Sequence, residues 1–162
     1  MNIGVYPGTF DPITHGHTDI ITRSLRVFDK VIVAVAPNPG KSPLFDVAER
    51  VEMVKLATKD LARVEVETFE GLLVHFVRQR GARAVIRGLR AISDFEHEFQ
   101  MALINRKLDQ TVESVFFMPR EEYSYLTSSI IKEVAGLGGT VKDFVHPEVA
   151  KRLRQRLRRH TP

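Results

Sequence analysis

Among its 162 residues the chain has no cysteine. That absence excludes disulfides and thiolate metal sites, and it fits a cytoplasmic home. No apolar run approaches the roughly 20 residues needed to cross a bilayer. The N-terminus lacks the basic start and long apolar stretch of a secretory signal. Internal repeats, low-complexity segments and evident linkers are missing as well. With 43% hydrophobic residues, the expectation is one soluble domain over residues 1–162, with an adequate core and no membrane partner.

Charge of one sign is scarce except at one end. The formal net charge is +4, yet Lys151, Arg152, Arg154, Arg156, Arg158 and Arg159 stand against Glu148 alone between Pro147 and Pro162. That tail carries +5, so the rest of the chain carries −1. The basic excess therefore belongs to one terminal helix, read as a solvated surface helix, with an oligomer contact or incidental polyanion binding as alternatives. A nucleic-acid partner is not expected.

Several catalytic patterns are also absent. No Ser-His-Asp, Cys-His or paired-carboxylate arrangement presents itself for hydrolysis. His15 and His17 lack a third and fourth ligand at a recognisable spacing, so no protein metal site is expected. His75 and His97 fall within helices and read as structural. Gly40-Lys41-Ser42 imitates the end of a Walker A loop, but Val35 stands where that motif needs its first glycine.

What is present begins with Gly4-Val5-Tyr6-Pro7-Gly8-Thr9-Phe10-Asp11-Pro12-Ile13-Thr14-His15-Gly16-His17. Ile3 to Tyr6 reads as a buried strand. Pro7, Gly8 and Pro12 then predict an irregular loop. Beyond His17 the apolar spacing of Ile21, Leu25 and Phe28 is helical. The free N–H groups and positive dipole end of a helix start attract phosphate, and His17 sits there with the Thr9 hydroxyl nearby.

Further along, Val31 to Ala36 predicts a second strand, and Asp46 with Glu49 a capping box that opens a helix. Val64 to Phe69 alternates with glutamates as a strand with one wetter face would. Leu72, Leu73, Phe76 and Val77 carry a short helix ending at Gly81. Ala84 to Ile86 is the fourth strand, closing on Arg87-Gly88-Leu89-Arg90. Ser93 and Glu96 suggest another capping box, with Phe95, Phe99 and Leu103 continuing its helix. Val115 to Met118 is the fifth strand. Ser128 or Ser129 begins a helix through Ala135, and Pro147 opens the last one.

Five repeats of strand then helix, with mostly apolar strands, indicate an α/β fold. It is a doubly wound, Rossmann-like five-stranded parallel sheet of order 3-2-1-4-5, with helices on both faces and a C-terminal helix. Ligands of such sheets sit beyond the carboxyl ends of the strands, where strand order reverses. Thr9, His17, Lys41, Arg87, Arg90 and the hydroxyl run from Tyr123 to Ser129 all fall in loops on that edge. Guanidinium forks match phosphate oxygens, and Lys41 offers a point charge. Glu98 reads from spacing as a solvated helix residue, with reach toward a ribose or amine.

These donors, gathered without an evident general base, suit phosphoryl or nucleotidyl transfer. A phosphate nucleophile needs little activation, since its second pKa is about 6. Alternatives are a sister adenylyl- or cytidylyltransferase acting on another phosphate such as nicotinate mononucleotide, a non-catalytic nucleotide sensor, and nucleic-acid binding through the tail.

Thr14-x-Gly16-His17 resembles the T/H-x-G-H signature of the nucleotidyltransferase superfamily. Tyr-Pro-Gly-Thr-Phe-Asp-Pro, Ile-Arg-Gly-Leu-Arg, Asp-Phe-Glu-His-Glu, the hydroxyl run and Lys132-Glu133-Val134 together resemble the bacterial phosphopantetheine adenylyltransferase family over nearly the whole chain. Thr127 stands where that family usually has a serine, and Tyr123 where it often has tryptophan. The resemblance implies transfer of an adenylyl group from ATP to 4′-phosphopantetheine, giving dephospho-coenzyme A and pyrophosphate with Mg²⁺, the penultimate step of coenzyme A synthesis. It implies that Thr9, Lys41, Leu73 and Arg87 bind phosphopantetheine. For ATP it implies Thr9, Phe10, His17, Gly88, Leu89, Arg90, Glu98, Tyr123, Ser124, Tyr125, Leu126, Thr127, Ser128 and Ser129. His17 would stabilise the transition state, with Lys41 and Arg90 beside it, in a homohexamer.

Overall fold

Each apolar run becomes a strand because its β-branched residues suit a pleated surface buried on both faces. The computed structural model describes residues 1–37, 40, 42–90 and 92–158, without the side chains of Ile92 and Ser93. Its elements are β1 (Ile3–Gly8), α1 (His15–Ser24), β2 (Lys30–Val35), α2 (Val47–Thr58), β3 (Val64–Thr68), α3 (Leu73–Gln79), β4 (Ala84–Gly88), α4 (Ile92–Leu108), β5 (Glu113–Phe117), α5 (Ser128–Gly136) and α6 (Pro147–Arg158). The strands are all parallel and lie in the order β3-β2-β1-β4-β5. The expected topology holds, and order reverses between β1 and β4.

The two-residue period of β2 divides the core. Val31, Val33 and Val35 face one side, with Ile20 and Ile21 of α1, Met53 and Val54 of α2, Ile131 of α5 and Val149 and Leu153 of α6. Ile32 and Ala34 face the other, with Val74, Phe76 and Val77 of α3.

Local signals differ from the sequence reading in instructive places. β1 runs through Pro7 and Gly8, which pair with Ala34 and Val35. A proline is tolerated there because the register of β1 with β4 stops at Val5, and the Pro7 carbonyl faces Arg87 instead of a strand. α1 ends at Ser24, and Phe28 reaches the core through a turn in which its N–H donates to the Ser24 carbonyl at 2.9 Å. Leu72 lies before α3 and is exposed. The helix expected from a Ser93 cap starts at Ile92, so Ser93 stands inside it. β5 ends at Phe117, and Met118 is exposed. Thr127 caps α5, accepting from the Ile130 N–H at 3.1 Å, and Ser128 is its first residue.

α6 is not merely a solvated helix. Val149 and Leu153 are buried, Arg152 makes a two-point pair with Glu52 of α2, and Arg156 pairs with Glu49 and donates to the Leu44 carbonyl at 2.9 Å. Lys151, Arg154 and Arg158 remain exposed.

Candidate active site

The strand ends at the reversal point enclose a cleft of about 480 Å³. Its walls come from the end of β1 and the start of α1, from β4 and α4, and from the segment between β5 and α5. Of the residues expected from sequence, Thr9, Phe10, His17, Arg87, Gly88, Arg90, Glu98, Tyr123, Leu126, Thr127, Ser128 and Ser129 line it. Leu73 lines a second, smaller cavity of about 120 Å³ that shares Arg87 and Glu98 with the cleft. Leu89, Ser124 and Tyr125 do not line the cleft, and the Ser124 hydroxyl is turned back onto the Glu121 carbonyl at 2.7 Å. Lys41 lies outside the described residues.

His17 is fixed by the cap of its own helix. It is the third residue of α1, and the Thr14 backbone N–H donates to its Nδ1 at 3.0 Å, closing a capping box with the Thr14 side chain. An Nδ1 that accepts leaves Nε2 to carry the proton, so the neutral ring is a donor. Burial first, then the charges of Arg90 and Arg87, lower its pKa from 6.5 to about 4. The imidazole is therefore neutral at pH 7. An electrically neutral N–H donor at a helix N-terminus suits an anionic oxygen, and it does not need to move a proton.

Phe10 supports this ring. Its backbone has φ +51°, a left-handed conformation that costs a non-glycine residue about 1–3 kcal/mol and persists only when its surroundings hold it. Its ring stands edge-on to His17 with centroids 5.0 Å apart, and edge-on to Tyr6 at 5.5 Å. Gly8 makes room for it, since a Cβ there would meet the Phe10 ring at 2.9 Å. Burial raises the pKa of the Tyr6 phenol above its ordinary value, so it stays protonated.

The two arginines of β4 and its loop are each held by a carboxylate of α4. Arg87 donates Nε and Nη2 to Glu98 at 2.8 and 2.5 Å, and Nη1 to the Pro7 carbonyl at 3.2 Å. Glu98 is thus a buried partner, 7% exposed, and not the solvated residue its spacing suggests. Burial lowers the Arg87 pKa, but the hydrogen bonds and charge of Glu98 outweigh it and leave the pKa raised. Arg90 pairs with Asp94 at 3.0 Å and donates to the Leu126 carbonyl at 3.4 Å. His97 lies within α4 as expected, is exposed, and lines the smaller cavity.

Beneath the cleft lies a residue that sequence reasoning missed. Arg50 is fully buried and donates to four carbonyls: Phe45 at 3.0 Å, Thr9 at 2.6 Å, Ala36 at 2.7 Å and Pro37 at 3.1 Å. It ties the ends of β1 and β2 together. Asp11, also missed, accepts from the Leu44 and Phe45 N–H groups at 2.9 Å each. An arginine in an amphipathic helix gives no sign of which carbonyls will surround it; only the junction of chain segments reveals that.

Residues 5–134 match the cytidylyltransferase-like family. The chain is 51% identical over 159 residues to the phosphopantetheine adenylyltransferase of Caldanaerobacter subterraneus, covering 98% of this chain and 99% of that one. It is 54% identical to the phosphopantetheine adenylyltransferase of Thermodesulfovibrio yellowstonii, covering 96% of this chain and 98% of its relative. The chain belongs to the phosphopantetheine adenylyltransferase family. Its fold is shared more widely. A putative nicotinate-nucleotide adenylyltransferase of Vibrio parahaemolyticus superposes with a TM-score of 0.73 at 20% identity, covering 99% of this chain and 98% of that one.

Proposed function

We infer that this member of the phosphopantetheine adenylyltransferase family transfers the adenylyl group of ATP to 4′-phosphopantetheine, giving dephospho-coenzyme A and pyrophosphate. The observation that carries the chemistry is a cleft with a neutral histidine donor, two oriented arginines and two helix N-termini, whose carboxylates Asp94 and Glu98 are engaged by those arginines. The near-full-length relatives support the choice of acceptor.

An oxygen of the acceptor phosphate attacks the α-phosphorus of ATP in line. The new P–O bond forms as the bond from the α-phosphorus to the oxygen bridging to the β-phosphorus breaks, and pyrophosphate leaves with that electron pair. A phosphate with a second pKa of about 6 is already ionised, so no base is required. His17 donates its Nε2–H to the charge that develops at the transferred phosphate. Arg90, with Thr127, Ser128, Ser129 and the N-terminus of α5, holds the ATP phosphates. Phe10, Gly88, Leu89, Glu98 and Tyr123 to Leu126 belong to the ATP side. Thr9, Lys41, Arg87 and Leu73 hold the acceptor, with Leu73 placing its arm in the smaller cavity.

Among the described residues no group of three His, Asp or Glu side chains could hold a metal ion. Mg²⁺ commonly keeps several waters and binds substrate phosphates, which fits a phosphate-gathering cleft of this kind. Bound to the ATP phosphates, it supplies charge neutralisation there.

An exposed apolar row on α4 supports a homo-oligomer, a hexamer by the family resemblance. It runs through Phe95, Phe99, Leu103 and Leu108, with the two phenylalanine rings stacked 6.0 Å apart. The proposed setting is the cytoplasm, without nucleic acid, and among the described residues no helix is long and apolar enough to cross a membrane.

Pyrophosphate release across a panel of acceptors with ATP and with CTP tests the reading. Turnover is expected with ATP and 4′-phosphopantetheine. Preference for nicotinate mononucleotide or for CTP assigns a different transferase, and ATP binding without turnover assigns a sensor.

A further inference from the structure

Lys132 of α5 has no part in the chemistry above, yet it is joined to the site by a short chain of contacts. Its Nζ lies 2.8 Å from Oδ2 of Asp11, a carboxylate 5% exposed, while the lysine side chain is 30% exposed. One helical turn earlier, Ser128 Oγ donates to the Pro12 carbonyl at 2.8 Å. Residues four apart share a helix face, so α5 grips two successive residues of the β1–α1 loop from one side. On the opposite flank of Phe10, Arg50 donates to the Thr9 carbonyl at 2.6 Å.

Phe10 is thereby bracketed. Thr9 is held before it and Asp11 after it, and the residue between them has the left-handed backbone that needs such support. The same Asp11 carboxylate holds the backbone of Leu44 and Phe45, so the loop is referenced to α2 as well as to α5. What this conformation secures is the Phe10 ring, edge-on to His17 at 5.0 Å.

We propose that Lys132 is a positioning residue for nucleotidyl transfer: its ammonium holds Asp11, which keeps Phe10 in its left-handed conformation and the His17 imidazole in place. The inference rests on the function proposed above, with His17 acting on the transferred phosphate. α5 serves the site twice, since its first turn lines the cleft and its next turn sets the loop across from it. Without the ammonium, Asp11 keeps two backbone donors and the field of Arg50 but loses its salt bridge. A buried carboxylate in that state draws in water or a new partner, and the loop shifts with it.

The test uses full-length Lys132→Met and Lys132→Arg, each also combined with His17→Ala, with pyrophosphate release measured at saturating ATP and 4′-phosphopantetheine. Lys132→Met is expected to lower kcat on the order of tenfold, as misplacing a catalytic group does, with KM for both substrates within about twofold. Lys132→Arg restores most of the loss, and in the His17→Ala background Lys132→Met has little further effect. A kcat unchanged in Lys132→Met, or a loss fully additive with His17→Ala, overturns the proposal. A residue serving stability alone would lower the melting temperature without that coupling.

Nitrogen NMR of the His17 ring gives a readout independent of turnover. The native ring is expected as the Nε2–H tautomer titrating at about 4, and in Lys132→Met its titration moves toward the ordinary 6.5. An unchanged titration overturns the proposal. Should the native protein release no pyrophosphate with any acceptor, the functional reading falls, and the imidazole spectrum alone decides the role of Lys132.

Discussion

Two guanidinium groups, Arg50 fully buried and Arg87 half-buried, sit within one strand-end region and are solved in different ways. Arg50, beneath the cleft floor, is wrapped by four backbone carbonyls and makes no salt bridge among those found in the described residues. Arg87, in the cleft wall, is held by one carboxylate, Glu98, and remains partly open, with its side chain 33% exposed. Backbone dipoles cannot be traded for a substrate without unfolding the junction they belong to. A carboxylate partner orients a guanidinium and leaves its remaining N–H groups for an anion. The first arrangement is a lock, and the second suits the acceptor-binding role proposed for Arg87.

The comparison breaks first at the lock. Arg50→Met leaves four carbonyls without their donor, that of Phe45 buried and the others partly shielded, and each one kept from water is worth ~1–3 kcal/mol. A fall in stability of roughly 4 kcal/mol is therefore expected by urea denaturation. A variant that unfolds at the native midpoint would show that the carbonyls are solvated in solution. Beside Arg87, His17→Ala should lower kcat by about 10²–10³ while the protein stays folded. Near-native turnover would remove His17 from the reaction.

Glu98→Gln sharpens the contrast. It keeps the shape of the partner but removes its charge, so Arg87 loses orientation while the fold survives. A fall in kcat/KM of about tenfold is expected, with little change in melting temperature. If stability falls as far as in Arg50→Met, Arg87 is a lock too.

A smaller effect follows from acid. The folded pKa of His17, about 4, lies below its ordinary 6.5, so the folded state binds fewer protons than the unfolded one. Its contribution to stability is complete above pH 6.5 and is lost as pH falls through about 4. Denaturation series at several pH values should show a shallower loss over that window in His17→Gln than in the native chain. The smallest change belongs to Arg152→Ala, which cuts only an exposed pair with Glu52, and no measurable shift in kinetics is expected.

The contrast also marks how far a linear reading reaches. The strand order was legible because alternating apolar strands and helices, joined by right-handed crossovers, leave few ways to wind a sheet. The cleft followed, since loops at the carboxyl ends must converge where strand order reverses. Pro7 was misjudged because a proline reads as a strand breaker until one knows that it pairs with β2 on one side while the β4 register has already stopped at Val5 on the other. Glu98 was misjudged because its partner Arg87, 11 residues back in sequence, comes beside it only when β4 is laid next to α4. Arg50 and Asp11 carry no local signal: their partners are up to 41 residues away for Arg50, and 121 for Asp11 with Lys132.

Periodicity and turn residues by themselves determined the architecture and the edge that carries the candidate site, while Thr14-x-Gly16-His17 marked the superfamily and the motifs from Tyr-Pro-Gly-Thr-Phe-Asp-Pro to Lys132-Glu133-Val134 the family. These are properties of nearest neighbours along the chain and of the two- and 3.6-residue repeats. Tertiary structure alone decided the protonation of His17, the pairing of Arg87 with Glu98 and the bracket around Phe10. Burial and charge are sums over groups distant in sequence, and they exist only once the chain has brought those groups together.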